Sequence, residues 1–222
     1  MKREKEYTEK GESMGRALRV IEAAIAVVVF ALIGLLLFRL WLHSYYPREV
    51  SRVLPTDDLR AAYAAGELHL KTQALRVEYD DPNEGLFFAD HLTFDEGTGS
   101  VQIAVRYNKS TLTKLAARHG EAFDPEAEEP FVYRIFCCTG EGEDGALAGR
   151  TYAVAEHRDD SLAMYRYRRL AFEDVDLTGV IWIRLEILLA GQDTPQSYIS
   201  IYENHGDYNT FEDYELKESE LS

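Results

Sequence analysis

The hydrophobic pattern of this chain changes character twice between its ends. From Val20 to Phe38 there is no alternation: VIEAAIAVVVFALIGLLLF is nineteen residues with one charge, Glu22. At about 1.5 Å per residue, a helix of that length reaches roughly 30 Å, the hydrocarbon thickness of a bilayer. A helix apolar all round predicts lipid contact rather than a buried core position. Residues 20–42 are therefore expected to form a transmembrane signal-anchor helix in contact with the bilayer, with Trp41, Tyr45 and Tyr46 as an aromatic girdle at the interface. No small-x-small cleavage site follows closely, which argues against a removed signal peptide. Residues 43–66 predict a stalk and a short helix, Asp58–Ala65, capped by Thr56 or Asp57 and stopped at Gly66. Its apolar face would be Leu59, Ala62 and Tyr63.

From Leu68 the period becomes two. Leu75, Val77 and Tyr79 alternate with Arg76 and Glu78. Leu92 and Phe94, the turn Glu96–Gly99, and Val101, Ile103, Val105 and Tyr107 read as a hairpin, and the parity of its apolar positions puts Asp95 opposite Ser100. STLTKLAARH, residues 110–119, predicts a helix capped by Ser110 and ended by Gly120. Strands are expected over Phe131–Cys138, Thr151–Glu156, Leu162–Phe172, Val180–Leu189 and Ser197–Glu203, with a last one over Tyr208–Leu216. Leu162–Phe172 places Tyr165 and Tyr167 on one face and Arg166 and Arg168 on the other. Val180–Leu189 is apolar on both faces, the mark of a central strand. Eight or nine short strands with one internal helix predict a mainly β fold, an antiparallel β-sandwich of the immunoglobulin-like or jelly-roll kind over 67–217, ending in an acidic tail at 218–222.

Charge sets the orientation. Six Lys/Arg precede the apolar run and three (Arg39, Arg48, Arg52) follow it within fifteen residues, which predicts a cytoplasmic N-terminus and a domain outside the cytoplasm in a single-pass cell-membrane protein. Residues 1–19 mix Lys, Arg and Glu with few apolar positions and read as a disordered tail. The chain's net charge is −15. Of its 24 Lys/Arg and 39 Asp/Glu, residues 1–44 hold seven and five, leaving 17 and 34 for residues 45–222, a balance of −17. Such a domain repels phosphate backbones, so nucleic acid is excluded as its partner. Ala24, Val27, Ala31 and Gly34 fall in a row that suits pairing of two anchors, a possible homodimer.

Motifs that would carry chemistry dissolve on inspection. Gly11-Glu-Ser-Met-Gly15 matches GxSxG, but a nucleophilic serine needs a tight strand-to-helix turn. The loop TGEGEDGALAG between two expected strands is glycine-rich yet carries three acids and no GK[ST], so it is no phosphate cradle. His43, His69, His91, His119, His157 and His205 stand singly, without metal spacing. Glu173–Asp176 and Glu203–Asp213 are dense in acids but do not fit a calcium loop. Cys137 and Cys138 are adjacent; on a strand they point to opposite faces, one expected in the core and one near the surface, with a strained vicinal disulfide or an intermolecular bridge as alternatives. No catalytic residue, metal ligand or cofactor is assigned.

One face stands out. Pairing Leu188 with Tyr198 puts Tyr202 beside Arg184, with Trp182 and Tyr198 on the same side. Such a row suits protein docking or stacking on sugar rings, unless a second layer covers it. The expected function is a non-enzymatic, membrane-anchored interaction or assembly module with an unknown protein or glycan partner. The alternative is an envelope glycan-binding module using Trp182, Tyr198 and Tyr202; a second alternative is an extracytoplasmic hydrolase, resting on carboxylate abundance alone.

Overall fold

The computed structural model describes residues 2–44, 50, 52–73, 75, 86–142, 145–203 and 211–221, and within the first helix the side chains from Arg19 to Trp41. The chain divides into two compact units, Met1–Tyr46 and Pro47–Ser222. The first is a single helix, α1 (Lys2–Ser44). Its segment Arg19–Trp41 has a mean hydropathy of 2.9, has no buried residue in its most apolar window, and is long and apolar enough to cross a membrane. The expectation of a disordered tail is corrected, because the helix runs back to Lys2. Lys, Arg and Glu rank with the better helix formers, which suits this stretch to a helix. Gly11–Gly15 therefore lies in continuous helix, and Ser13 occupies no strand-to-helix turn.

The second unit is built from two antiparallel sheets. Its strands are β1 (Lys71–Gln73), β2 (Phe88–Asp95), β3 (Ser100–Asn108), β4 (Phe131–Glu141), β5 (Leu147–Ala153), β6 (Glu156–Leu162), β7 (Tyr165–Phe172), β8 (Trp182–Leu189), β9 (Ser197–Glu203) and β10 (Glu212–Asp213). One sheet has the order β10-β1-β2-β3-β7-β6 and the other β5-β4-β8-β9. Alternation along the strands sends Val101, Ile103 and Val105 of β3 and Leu170 and Phe172 of β7 to one side. They meet Tyr133, Ile135 and Cys137 of β4 and Ile183, Leu185 and Ile187 of β8 in a common core between the sheets. The β2–β3 hairpin has the expected register, Asp95 opposite Ser100. Asp95 also explains the turn's order, since its carboxylate accepts from the Thr98 N–H at 2.7 Å and from the His69 N–H at 2.9 Å.

Among the described residues, two α-helices of two turns or more accompany the sheets. α2 (Asp57–Ala65) begins after Thr56 and stops at Gly66, whose φ of +73° is the left-handed conformation glycine adopts without strain. Of its expected apolar face only Leu59 is buried; Tyr63 is exposed. Leu59 packs with Val53 and Leu70, and with Tyr214 and Leu216 from the chain's end, in a second, smaller core. α3 (Lys109–His119) is capped by Asn108 rather than Ser110. The Asn108 carbonyl oxygen accepts from the Thr111 N–H at 3.0 Å, and the Thr111 hydroxyl accepts in return from the Asn108 N–H at 3.4 Å, a reciprocal capping box.

Other expectations shift with the packing. The stretch taken as a stalk is bound to the outer side of the six-stranded sheet where it is described. Leu54 exchanges two backbone hydrogen bonds with the side chain of Gln102, at 2.6 and 2.9 Å, and Arg169 donates to the carbonyl of Arg52. The strand expected over Leu162–Phe172 starts at Tyr165, because β6 turns back through Ala163 and Met164 and pairs along β7. Tyr165 and Tyr167 do fall opposite in parity to Arg166 and Arg168 along β7. Positions 76–80 and 208–210, which complete two expected strands, lie outside the described residues. Both cysteines are free and buried, so the expected surface thiol is corrected. Cys137 enters the core. Cys138 faces the other way, between Trp182 and Gly149 on the neighbouring strands, and donates to the Gly140 carbonyl at 3.4 Å.

Candidate functional site

β8 reads WIRLEILL, and its alternation divides cleanly. Ile183, Leu185, Ile187 and Leu189 enter the core. Trp182, Arg184 and Glu186 therefore lie on the outer face of the four-stranded sheet. β4 contributes Arg134 opposite Glu186 and Phe136 opposite Arg184, and β9 contributes Tyr198 opposite Glu186 and Ser200 opposite Arg184. The guanidinium carbon of Arg184 sits 5.0 Å from the Tyr198 ring centroid and 5.5 Å from those of Phe136 and Trp182. The Phe136 and Trp182 rings are themselves 5.5 Å apart and tilted. Three rings thus surround one cation at distances where the ring quadrupoles attract it.

Glu186 fixes the geometry. Its carboxylate is only 5% exposed and accepts from Arg184 Nε at 3.1 Å and Nη2 at 2.6 Å, and from Arg134 Nε at 2.6 Å. Burying a carboxylate is costly unless it is paired and hydrogen-bonded, and here two guanidinium groups meet that cost. Both arginines keep about a third of their side chains open to solvent, 32% each. Trp182, Phe136 and Tyr198 are half-buried, so the row is not closed over by another layer.

Three of the four residues singled out in the sequence come together here: Trp182, Arg184 and Tyr198. Tyr202 does not. The β8–β9 register runs through Glu186–Tyr198 and Arg184–Ser200, then shifts so that Ile183 pairs with Tyr202. The extra residue is a bulge, which turns the following side chain to the other face. Tyr202 consequently packs against the core and stacks on Phe211 at 6.0 Å. Burial, with the nearby Glu96 carboxylate, raises its phenol pKa above the usual value. The expected pairing of Leu188 with Tyr198 has the right parity but is displaced, since Tyr198 meets Glu186. Sequence reasoning missed Arg134 and Phe136, whose strand is distant in the chain; the alternation within Phe131–Cys138 was the available signal.

Other candidate groups are engaged elsewhere. His91 pairs with Asp90 at 2.9 Å and His157 with Glu129 at 3.1 Å. Asp176 forms an ion pair with Arg150, which holds its carboxyl down at about 2. Among the described residues no group of three or more His, Cys, Asp or Glu side chains converges as a metal site. Neither a family model, nor a curated protein, nor a solved structure matches this chain.

Proposed function

We propose that this protein is a membrane-anchored, non-enzymatic interaction module that docks a protein partner on the outer face of its four-stranded sheet. The observation behind the reading is the half-exposed cluster of Arg184 with Trp182, Tyr198 and Phe136, turned away from the core. Trp, Tyr and Arg dominate the energetics of protein interfaces. Here Glu186 and the strand register hold them in place in advance, which lowers the ordering cost of binding. Arg134 and Arg184 stand against Glu186 and against Glu203, which lies opposite Trp182 and accepts from the Ser200 hydroxyl at 3.2 Å, so the charges of the patch are balanced. A complementary partner surface is apolar and aromatic at its centre, with polar groups at the rim to meet the paired charges.

In this reading residues 20–42 cross the cell membrane once, with the N-terminus cytoplasmic and the domain outside. The excess of Lys/Arg before the span supports that orientation. An immunoglobulin-like or jelly-roll class for the sandwich, and pairing of two anchors through Ala24, Val27, Ala31 and Gly34, belong to the same proposal. Glycan binding is the second use open to this face. It is weakened because Arg184 already lies against the rings and Tyr202 has left the row. A hydrolase has only carboxylate abundance behind it.

A photo-reactive residue at Ser200, opposite Arg184, tests the proposal in the full-length protein in its native membranes. The expected result is a discrete protein adduct that disappears with Trp182→Ala or Arg184→Ala and does not form from a photo-reactive residue at Glu156, on the edge of the other sheet. An adduct indifferent to both substitutions contradicts the proposal. Co-sedimentation with purified envelope glycan that is lost in Trp182→Ala would replace it with the glycan reading.

A further inference from the structure

The core of the second unit is not filled throughout. Between the two sheets, where β2 and β3 face β8 and β9, lies a cavity of about 400 Å³. Its walls include Phe94, Val101, Val180, Ile183, Tyr202 and Phe211. The rings are organised as a continuous wall: Phe94 meets Phe211 edge-on at 5.1 Å, and Phe211 stacks on Tyr202. Among the described residues, the polar groups of the lining are Lys71, Glu96, Asp176, Thr178 and the Tyr202 hydroxyl. Lys71 and Glu96 pair at 3.8 Å with both side chains well exposed, and Asp176 is likewise open to solvent. The buried lining residues, Leu92, Phe94, Val101, Val175, Val180 and Ile183, are thus apolar, and the charged ones gather at the mouth.

Its wall on the mouth side is built deliberately. The loop carrying Val175, Asp176, Leu177 and Thr178 is tied to the β2–β3 turn by the Val175 N–H donating to the Gly99 carbonyl at 2.9 Å. Gly99 has a φ of +66°, and a Cβ there would lie 2.9 Å from the Val175 nitrogen, so only glycine lets the loop approach. The Tyr152 hydroxyl accepts from the Asp176 N–H at 3.1 Å, and the Asp176 carboxylate accepts from the Thr178 N–H at 2.9 Å. These bonds hold the loop beside the opening rather than collapsed into it.

Protein interiors are close-packed, with few voids larger than a water molecule, and apolar cavities less than half this size already take up small hydrocarbons. Small-molecule sites occupy roughly 300–1,000 Å³, with mostly apolar walls and a few polar groups that orient the ligand. We propose that this cavity is a binding site for a single-chain amphiphile, its aliphatic part between the sheets and its polar head at Lys71, Glu96 and Thr178. The mouth requires a molecule with one polar end. The apolar helix Arg19–Trp41 supplies a reason for that molecule to be at hand, since a bilayer is a reservoir of such chains.

The test uses the full-length protein in phosphatidylcholine vesicles and two photo-reactive probes. One is a diazirine-bearing palmitate added from solution; the other is a lysophospholipid carrying the same single diazirine chain, incorporated in the bilayer. Mass spectrometry should find label on the peptides holding Val101 and Val175–Ile183. Val101→Trp, which fills the cavity, should reduce that label at least tenfold. Cavity label from the lysophospholipid identifies the bilayer as the source; cavity label from palmitate alone identifies the solution. Label confined to residues 19–41 with both probes overturns the proposal, as does cavity label unchanged in a folded Val101→Trp protein. Should Val101→Trp lose its cooperative melting, Leu177→Trp, on the half-buried loop at the mouth, carries the same comparison.

Discussion

Arg184 and Glu186 stand two residues apart on one strand, and their side chains close a bidentate contact along its outer face, Oε1 accepting from Nε at 3.1 Å and Nη2 at 2.6 Å. Residues two apart in a strand share a face, so the contact follows from the local sequence. It holds the guanidinium against three rings. Glu186→Gln keeps the shape and removes the charge that two arginines share. The expected cost is about 1–3 kcal/mol in denaturant unfolding, as for a lost hydrogen bond to a charged group. A loss of near-ultraviolet dichroism from the Trp182 environment should accompany it. Unchanged stability and an unchanged spectrum would show that the carboxylate does not organise this face.

Gly149 carries the same cluster from the neighbouring strand. A Cβ there would lie 2.7 Å from Phe136 Cζ and would collide with the Cys137 carbonyl. Gly149→Ala should therefore lose about 1–3 kcal/mol through overpacking. Thr151→Ala, exposed on the same strand, should stay within about 0.5 kcal/mol of the parent. Chemical denaturation of the pair makes the comparison; equal stabilities would mean that Phe136 can move without consequence.

The parts of this architecture that sequence reveals are those where local chemistry and burial agree. The β2–β3 hairpin combines strict alternation with a tight turn, and parity alone fixes Asp95 opposite Ser100. β8 has a wholly apolar inner face and lies inside its sheet, between β4 and β9. β6 is the contrary case. Its sequence EHRDDSL has no apolar alternation because it is an edge strand, mostly exposed, and takes its register from β7. Tyr202 was misplaced because a bulge is one unpaired residue, and nothing in SYISIYE distinguishes a bulged strand from a regular one. Arg134 and Phe136 join the cluster through pairing of strands far apart in the chain, a relationship that periodicity does not encode.

Asp90 hydrogen-bonds His91 and thereby raises the imidazole pKa above 6.5, against an opposing effect of partial burial. A raised histidine pKa contributes stability in full below 6.5, and that contribution is lost as pH rises through the folded value. Nuclear magnetic resonance titration should give His91 a midpoint above 6.5, and Asp90→Asn should lower it. A midpoint at or below 6.5 in the parent protein would remove this contact from the account.

Burial pushes the Cys137 thiol up to about 12, so it stays protonated and unreactive near neutrality. Cys138 is equally inaccessible, at 1% exposure. Iodoacetamide should label neither in the native protein and both in denaturant, in parallel with unfolding. Rapid native labelling of Cys138 would mean that the outer face opens around Trp182.

The claim on which the rest depends is that Trp182 and Tyr198 are covered by a partner where the protein works. Hydroxyl-radical footprinting of the full-length protein, in its native membranes and after purification into phospholipid nanodiscs, measures this directly. Oxidation of Trp182 and Tyr198 should be several-fold lower in the native membranes, while Tyr63, exposed on α2, should be oxidised equally in both. Equal oxidation of Trp182 and Tyr198 in the two preparations would contradict the docking role of this face.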